Sequence, residues 1–135
     1  MSFTITQPLV RVLVADDDPV IRHLVASSVK KAGYTPVEVT DGREAYRTLQ
    51  GDSDFKAAIF DMMMPYLEGI DVIRYMRTEK RLMRIPVMMI TSEQDLKVMT
   101  NSFAAGASVY LPKPFNPEQL QTTLSMLFST RITAG

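Results

Sequence analysis

Apolar positions along the chain gather into five short runs, separated by longer stretches in which apolar and polar residues alternate at helical spacing. The runs are Leu9–Ala15, Thr35–Val39, Ala57–Phe60, Pro86–Ile90 and Ser108–Leu111. The third is the most informative, because its uncharged residues AAIF stop abruptly at the carboxylate of Asp61. A run that short and that uniformly apolar predicts a strand buried on both faces, as in the middle of a parallel sheet. The second run carries Pro36 near its start, which predicts an edge strand.

The intervening stretches predict helices. Asp18 followed by Pro19 has the form of an N-cap with proline at the first helical position. Ile21, Leu24, Val25, Ser28 and Ala32 then give that helix an inward face, and Gly33 closes it with a left-handed turn. Asp41 can cap a second helix through Gln50, with residues 51–54 as a loop. Pro65 and Gly69 mark the loop after Asp61. Ile70, Ile73 and Met76 line a third helix, followed by a basic loop, Arg77–Arg84, expected to be solvated. A fourth helix runs from Gln94 to Ala105 and stops at Gly106. Asn116 and Pro117 repeat the cap-and-proline pattern ahead of Leu120, Leu124 and Leu127. Strand and helix thus alternate five times, which predicts an α/β fold: a doubly wound parallel sheet with helices on both faces and right-handed crossovers. Residues 9–128 are expected to form this domain, with 1–8 a flexible lead-in and 129–135 a tail.

Composition narrows the function classes. With 135 residues the chain has room for one domain. Fifteen basic and 15 acidic residues leave a formal net charge of +0, so there is no electrostatic footprint for nucleic acid or an anionic membrane. The absence of cysteine excludes disulfides, thiol catalysis and thiolate-bound metal. No segment resembles a signal peptide, and no apolar run approaches the ~20 residues needed to cross a bilayer, so a cytoplasmic location is expected.

The chemistry lies at the strand ends. A parallel sheet delivers the C-terminal ends of its strands to one edge, the edge where open α/β sheets bind ligands. Those ends carry Asp16, Asp17 and Asp18, then Asp61, then Thr91 and Ser92, then Lys113. Like charges ~4 Å apart repel by ~4 kcal/mol at an effective dielectric of ~20. Asp16, Asp17 and Asp61 are therefore expected to enclose a cation. All-oxygen ligands favour a hard ion such as Mg²⁺, which keeps several waters and takes one or two carboxylates. Such an ion can hold a phosphoryl oxygen during in-line transfer. Lys113 adds a point charge for phosphate and Thr91 a hydroxyl donor, while a carboxylate can serve as the nucleophile and become an acyl phosphate.

Four segments carry a resemblance: VLVADDDPVIRHLV (12–25), IFDMMMPYLEG (59–69), MMITSE (88–93) and GASVYLPKPF (106–115). In this order at strand ends they resemble the receiver domain of two-component response regulators, in particular the single-domain, chemotaxis-regulator-like kind. The likeness runs from about Val10 to Phe128. It implies a flavodoxin-like strand order of 2-1-3-4-5. It also implies that Asp61 accepts a phosphoryl group from a phosphohistidine on a sensor histidine kinase or a histidine phosphotransfer protein. Asp17, Asp61 and the backbone carbonyl of Met63 would ligate Mg²⁺, with Mn²⁺ as a possible substitute, and Asp16 would reach it mainly through water. Thr91 would be the switch hydroxyl, Tyr110 the switch aromatic and Lys113 the phosphate partner, and the Lys113–Pro114 bond would be cis. The fourth helix, fifth strand and fifth helix would form the surface offered to a downstream protein. By this reading the chain is a phosphorylatable signalling switch that catalyses its own phosphorylation and dephosphorylation, and not an enzyme acting on other molecules. Met63 and Glu93 occupy positions that tune the lifetime of the acyl phosphate, and an apolar Met63 is expected to slow its hydrolysis.

Two rival readings use the same residues. Asp16 and Asp18 fit the D-x-D-x-V of haloacid-dehalogenase-type phosphatases as nucleophile and general acid, which leaves Asp61 unexplained. A phosphate-independent scaffold leaves all of the converging residues unexplained. Other features read as structure: His23 as an exposed side chain, and Met62–Met64, Met88 and Met89 as core filler and not a soft-metal site.

Overall fold

The computed structural model describes residues 9–92 and 96–132. Five strands alternate with five helices: β1 (Arg11–Ala15), α1 (Pro19–Lys31), β2 (Thr35–Val39), α2 (Gly42–Gly51), β3 (Ala57–Asp61), α3 (Gly69–Thr78), β4 (Val87–Thr91), α4 (Leu96–Ala105), β5 (Val109–Pro112) and α5 (Pro117–Ser129). The strands form one sheet in the order β2-β1-β3-β4-β5, with every neighbouring pair parallel. β2, with its proline, lies at an edge as expected.

The pleat divides the core in two. Alternate strand residues face opposite sides, so Val12, Val14, Ala57, Ile59, Met88 and Ile90 pack with Val25 and Val29 of α1 and Leu120, Leu124 and Leu127 of α5. Leu13, Ala15, Ala58, Phe60, Val87 and Met89 pack with Ala45 and Leu49 of α2 and Val72, Ile73 and Met76 of α3. With both faces covered, β3 and β4 are buried along their whole length, which explains their unbroken apolar runs. Met62, Met64, Met88 and Met89 are buried, as core filler should be, whereas Met63, expected among them, is exposed.

The helix starts follow the predicted caps. Asp18 Oδ1 accepts from the Val20 amide at 2.9 Å and Asp41 Oδ1 from the Glu44 amide at 2.8 Å. Asn116 and Gln119 exchange side-chain-to-backbone bonds in a capping box.

Several expectations need correction. Leu9 and Val10 lie outside β1 and are exposed. The buried stripe of α1 is Val25, Ala26, Ser28 and Val29, whereas Leu24 and Ala32 face outward. Gly69 begins α3 instead of lying in the preceding loop. Ser129 still belongs to α5. The proposed start of α4 at Gln94, and the position of Glu93, lie outside the described residues, as do residues 1–8 and 133–135.

The largest departure is the basic loop. Arg77 is the penultimate residue of α3, and its guanidinium is half-buried. Its Nε and Nη2 donate to the Gly106 carbonyl at 3.2 and 2.8 Å, and Nη1 donates to the carbonyls of Met83 and Ile85 at 3.0 and 2.9 Å. Burial lowers its pKa from the usual arginine value. One side chain thereby ties the end of α3 to the α3–β4 loop and to the turn before β5. Gly106 sits there at φ 117, where a Cβ would press on Arg77 Nε at 2.6 Å. Arg81 likewise donates inward, to the carbonyls of Leu49 and Gln50. Among the described residues no helix is long and apolar enough to cross a membrane.

Candidate functional site

The predicted residues arrive at the site from four strand ends, those of β1, β3, β4 and β5. Asp16 follows β1 and is 2% exposed. Its amide donates to the Val39 carbonyl of β2 at 3.3 Å, and its Oδ1 accepts from the Asp18 amide at 2.9 Å. Asp17 is exposed beside it. Asp61 ends β3 and is buried, with its neighbour Met62 hydrogen-bonded through the amide to Ile90 of β4 at 2.8 Å. Thr91 ends β4, fully buried, with Oγ1 3.9 Å from the sulfur of Met62. Lys113 follows β5, its amide bound to the Thr91 carbonyl at 2.7 Å.

These placements bring the charges together. Asp16, Asp17 and Asp61 each offer a carboxylate oxygen within 4.8 Å of the others. Lys113 Nζ lies 3.6 Å from Asp61 Oδ2 and 3.8 Å from Asp16 Oδ2. Desolvation is the main force on both buried acids. Asp16 is pushed up to about 6 by burial, opposed by the Asp18 amide, with the charge of Asp61 adding a further upward push. Asp61 is also raised, first by burial, while Lys113 and the Met63 amide pull it back. Asp16 Oδ2 is buried and finds no hydrogen-bond donor among the described residues. A buried anionic oxygen without a donor, next to two further carboxylates, suits a divalent cation coordinated by oxygen.

Asp18, the remaining acid of the triplet, is spent as the N-cap of α1. Ser92 is exposed and lines a groove of about 500 Å³ with Ile21, Leu24, Lys113, Pro114 and Phe115. The Lys113–Pro114 peptide is cis. Tyr110 is half-buried, its ring centroid 6.2 Å from that of Phe103. It lines an apolar groove of about 580 Å³ with Leu96, Met99, Phe103 and Met126, between α4, β5 and α5. Met63 is 53% exposed at the mouth of the β3–α3 loop. His23 is exposed, as expected, with Nδ1 3.7 Å from Glu38 Oε1.

Sequence reasoning missed three contributors. The Met63 amide donates to the Asp61 carboxylate. Gly69 lets α3 begin against β3, since a Cβ there would come 2.7 Å from the Asp61 carbonyl oxygen. Arg22 Nη1 donates to the Asp16 carbonyl at 2.9 Å. Only Gly69 left a signal, a glycine soon after the acceptor strand, and it pointed to a loop.

Comparison with known proteins agrees with this geometry. Residues 12–125 match the family model described as response regulator receiver domain. The chain is 32% identical over 121 residues to chemotaxis protein CheY1 of Helicobacter pylori, covering 89% of this chain and 98% of that protein. Among solved structures it is similar to the chemotaxis response regulator CheY4 of Vibrio cholerae, with a TM-score of 0.81 and 33% identity, covering 89% of this chain and 99% of that one. It is also similar to the receiver domain of the sensor histidine kinase PA1611 from Pseudomonas aeruginosa, solved with a magnesium ion coordinated in its active site cleft. That match has a TM-score of 0.79 and 26% identity and covers 91% of this chain and 100% of the other.

Proposed function

The chain belongs to the response regulator receiver domain family of two-component systems, and from that membership we propose that Asp61 is its phosphoacceptor and that Mg²⁺ is the ion its acids hold. The observation that carries this reading is the meeting of three carboxylates and Lys113 at one sheet edge, with Lys113 Nζ 3.6 Å from Asp61 Oδ2.

In the transfer, a carboxylate oxygen of Asp61 attacks the phosphorus of a phosphohistidine. The phosphorus–nitrogen bond breaks, its electron pair stays on the imidazole, and an acyl phosphate forms. Asp16, Asp17, Asp61 and the Met63 carbonyl would hold Mg²⁺, with Mn²⁺ as a substitute. When bound, the ion neutralises charge on the phosphoryl oxygens. Lys113 pairs with one phosphoryl oxygen, and the Met63 amide keeps the Asp61 carboxylate oriented. Receivers of this type interact with histidine kinases and with downstream targets, and here the donor is a sensor histidine kinase or a histidine phosphotransfer protein. The response is a change of surface: the Thr91 hydroxyl turns to the phosphoryl group and Tyr110 repacks over the groove between α4, β5 and α5, where the downstream protein binds. Moving such a switch from 1:99 to 99:1 takes about 5.5 kcal/mol, shared among the new phosphate contacts.

Intact-mass analysis after incubation with acetyl phosphate and MgCl2 tests the assignment. The parent should gain the mass of one phosphoryl group and Asp61→Asn should gain none. Labelling of Asp61→Asn to the parent's extent would move the acceptor elsewhere, and steady turnover of a phosphomonoester by the parent would favour a phosphatase.

Met63 supports a prediction about lifetime. A thioether beside the acceptor offers water only a weak acceptor and no donor, whereas an amide there can orient an attacking water. The phosphorylated Met63→Asn protein should therefore lose its label faster than the parent in Mg²⁺ buffer. Equal decay rates, read by mass over time, would remove that role for the side chain.

A further inference from the structure

Asp16 is held on three sides, and its position depends on a residue outside the acid cluster. Its amide is bound to Val39 and its Oδ1 to the Asp18 amide, so the remaining main-chain group is its carbonyl. That carbonyl accepts from Arg22 Nη1 at 2.9 Å. The Arg22 side chain is 15% exposed, and its Nε lies 3.4 Å from Glu38 Oε1. Glu38 belongs to β2 and is paired in register with Val14 of β1. A guanidinium is a rigid plane with donors on more than one edge, so it can rest one edge on a carboxylate while another grips a carbonyl. Arg22 therefore bridges the sheet edge to the turn that carries Asp16 and Asp17.

We propose that Arg22, oriented by Glu38, is a positioning residue for the divalent-cation site, holding the β1–α1 turn in the conformation that presents Asp16 and Asp17 to the ion. This rests on the reading that these acids bind a divalent cation. It also makes a prediction opposite in sign to simple electrostatics. Deleting a positive charge near three carboxylates should strengthen their attraction for a cation. Losing the brace should weaken it, because the acids no longer converge without an ordering cost.

Titration of the chain with MgCl2 by calorimetry, paired with urea unfolding in metal-free buffer, separates the two. Arg22→Met should raise the Kd for Mg²⁺ about tenfold, the lower end of what removing an outer-shell partner does to metal affinity. Glu38→Gln should shift it the same way by less, since its amide oxygen still accepts from the guanidinium. Arg22→Lys should recover part of the loss, because an ammonium can reach the carbonyl without spanning to Glu38. A Kd that moves while the metal-free unfolding midpoint stays fixed supports positioning over a merely structural role. Unchanged or tighter binding by Arg22→Met overturns the proposal. If that variant does not fold, an unchanged Kd in Glu38→Gln overturns it instead. A parent that takes up no Mg²⁺ defeats the cation reading itself, and Arg22's role with it, an outcome distinct from equal binding by parent and variant.

Discussion

In metal-free buffer at pH 7.5, Asp16→Asn should resist unfolding better than the parent, by at most about 3 kcal/mol, and near pH 4 that advantage should vanish or reverse. Burial raises the Asp16 carboxyl from 3.8 to about 6 in the folded protein. Between those values the folded chain holds a proton that the unfolded chain has released. Stability contributed by that proton is present at low pH and is lost as pH climbs toward 6, at about 1.4 kcal/mol per unit. Asn cannot ionise, and its side-chain carbonyl still accepts from the Asp18 amide, so the variant escapes the loss, offset in part by burying its amide N–H groups beside the Lys113 ammonium. Asp61 is raised as well, for the same leading reason, and the variant removes the carboxylate within 4.8 Å of it on Asp16. Mg²⁺ should narrow the gap. An ion that binds only the folded state adds about 2.7 kcal/mol at a hundred times its Kd, and Asp16→Asn has fewer charges with which to bind it. Urea melts across pH 4–8, with and without MgCl2, give both comparisons. A difference between variant and parent that stays flat with pH would mean Asp16 carries no burial penalty.

That penalty shows what the fold does for function. The sheet does not stabilise its acidic edge; it imposes it. β1 and β3 are driven into the core by Val12, Leu13, Val14, Ile59 and Phe60, and the acids at their ends are carried along. Hydrophobic burial elsewhere holds the carboxylates closer together than they would sit in water, an arrangement compatible with a divalent cation.

The same coupling explains what could be read from the sequence. A strand covered on both faces must be apolar at every position, so β3 and β4 announced themselves, and the polar residue ending each run had to lie on the common edge. Asp61 and Thr91 were legible for that reason, and Lys113 because it follows the last strand of the alternation, on the same edge. Arg22, Arg77 and Arg81 were not, because each acts through backbone carbonyls of other elements, and a carbonyl leaves no trace in residue type. Arginine in a charged stretch looks the same whether it meets water or grips Gly106. α1 shows a subtler limit. Apolar residues at 20, 21, 24, 25, 26 and 29 span more of the helix than the sheet can cover, and periodicity does not say whether Leu24 or Ala26 lies inside. α4 runs against the pattern, with Ser102 buried while Leu96 and Phe103 face outward into the groove beside Tyr110. An exposed apolar helix face of that kind fits a surface kept for a partner.

Replacing Gly42 by alanine should cost about 3 kcal/mol, although helix propensity alone favours alanine over glycine by up to about 1 kcal/mol. Gly42 is the first residue of α2, and its amide reaches the Pro65 carbonyl at 3.4 Å. An added Cβ would overlap the Leu67 carbonyl oxygen and lie 2.6 Å from the Leu67 carbonyl carbon. The loop it would strike has little freedom to retreat. Tyr66 already holds φ 72, unusual for a residue with a side chain, and the Arg43 guanidinium covers its ring at 3.9 Å. The Leu67 amide is closed onto the Pro65 carbonyl at 2.9 Å, and the Gly69 amide is bound to Met62 at 3.0 Å. The methyl group must therefore displace either the start of α2 or the loop that carries the Met63 amide to Asp61. Gly51, at the other end of the same helix, is the matched control, because a Cβ there meets nothing within 4 Å. Gly51→Ala should be neutral or slightly stabilising in urea melts, whereas Gly42→Ala should unfold well before the parent and accept phosphate from acetyl phosphate more slowly. Should the two variants prove equally stable, the β3–α3 loop yields freely, and the Asp61 carboxylate is not held by the packing of α2 against it.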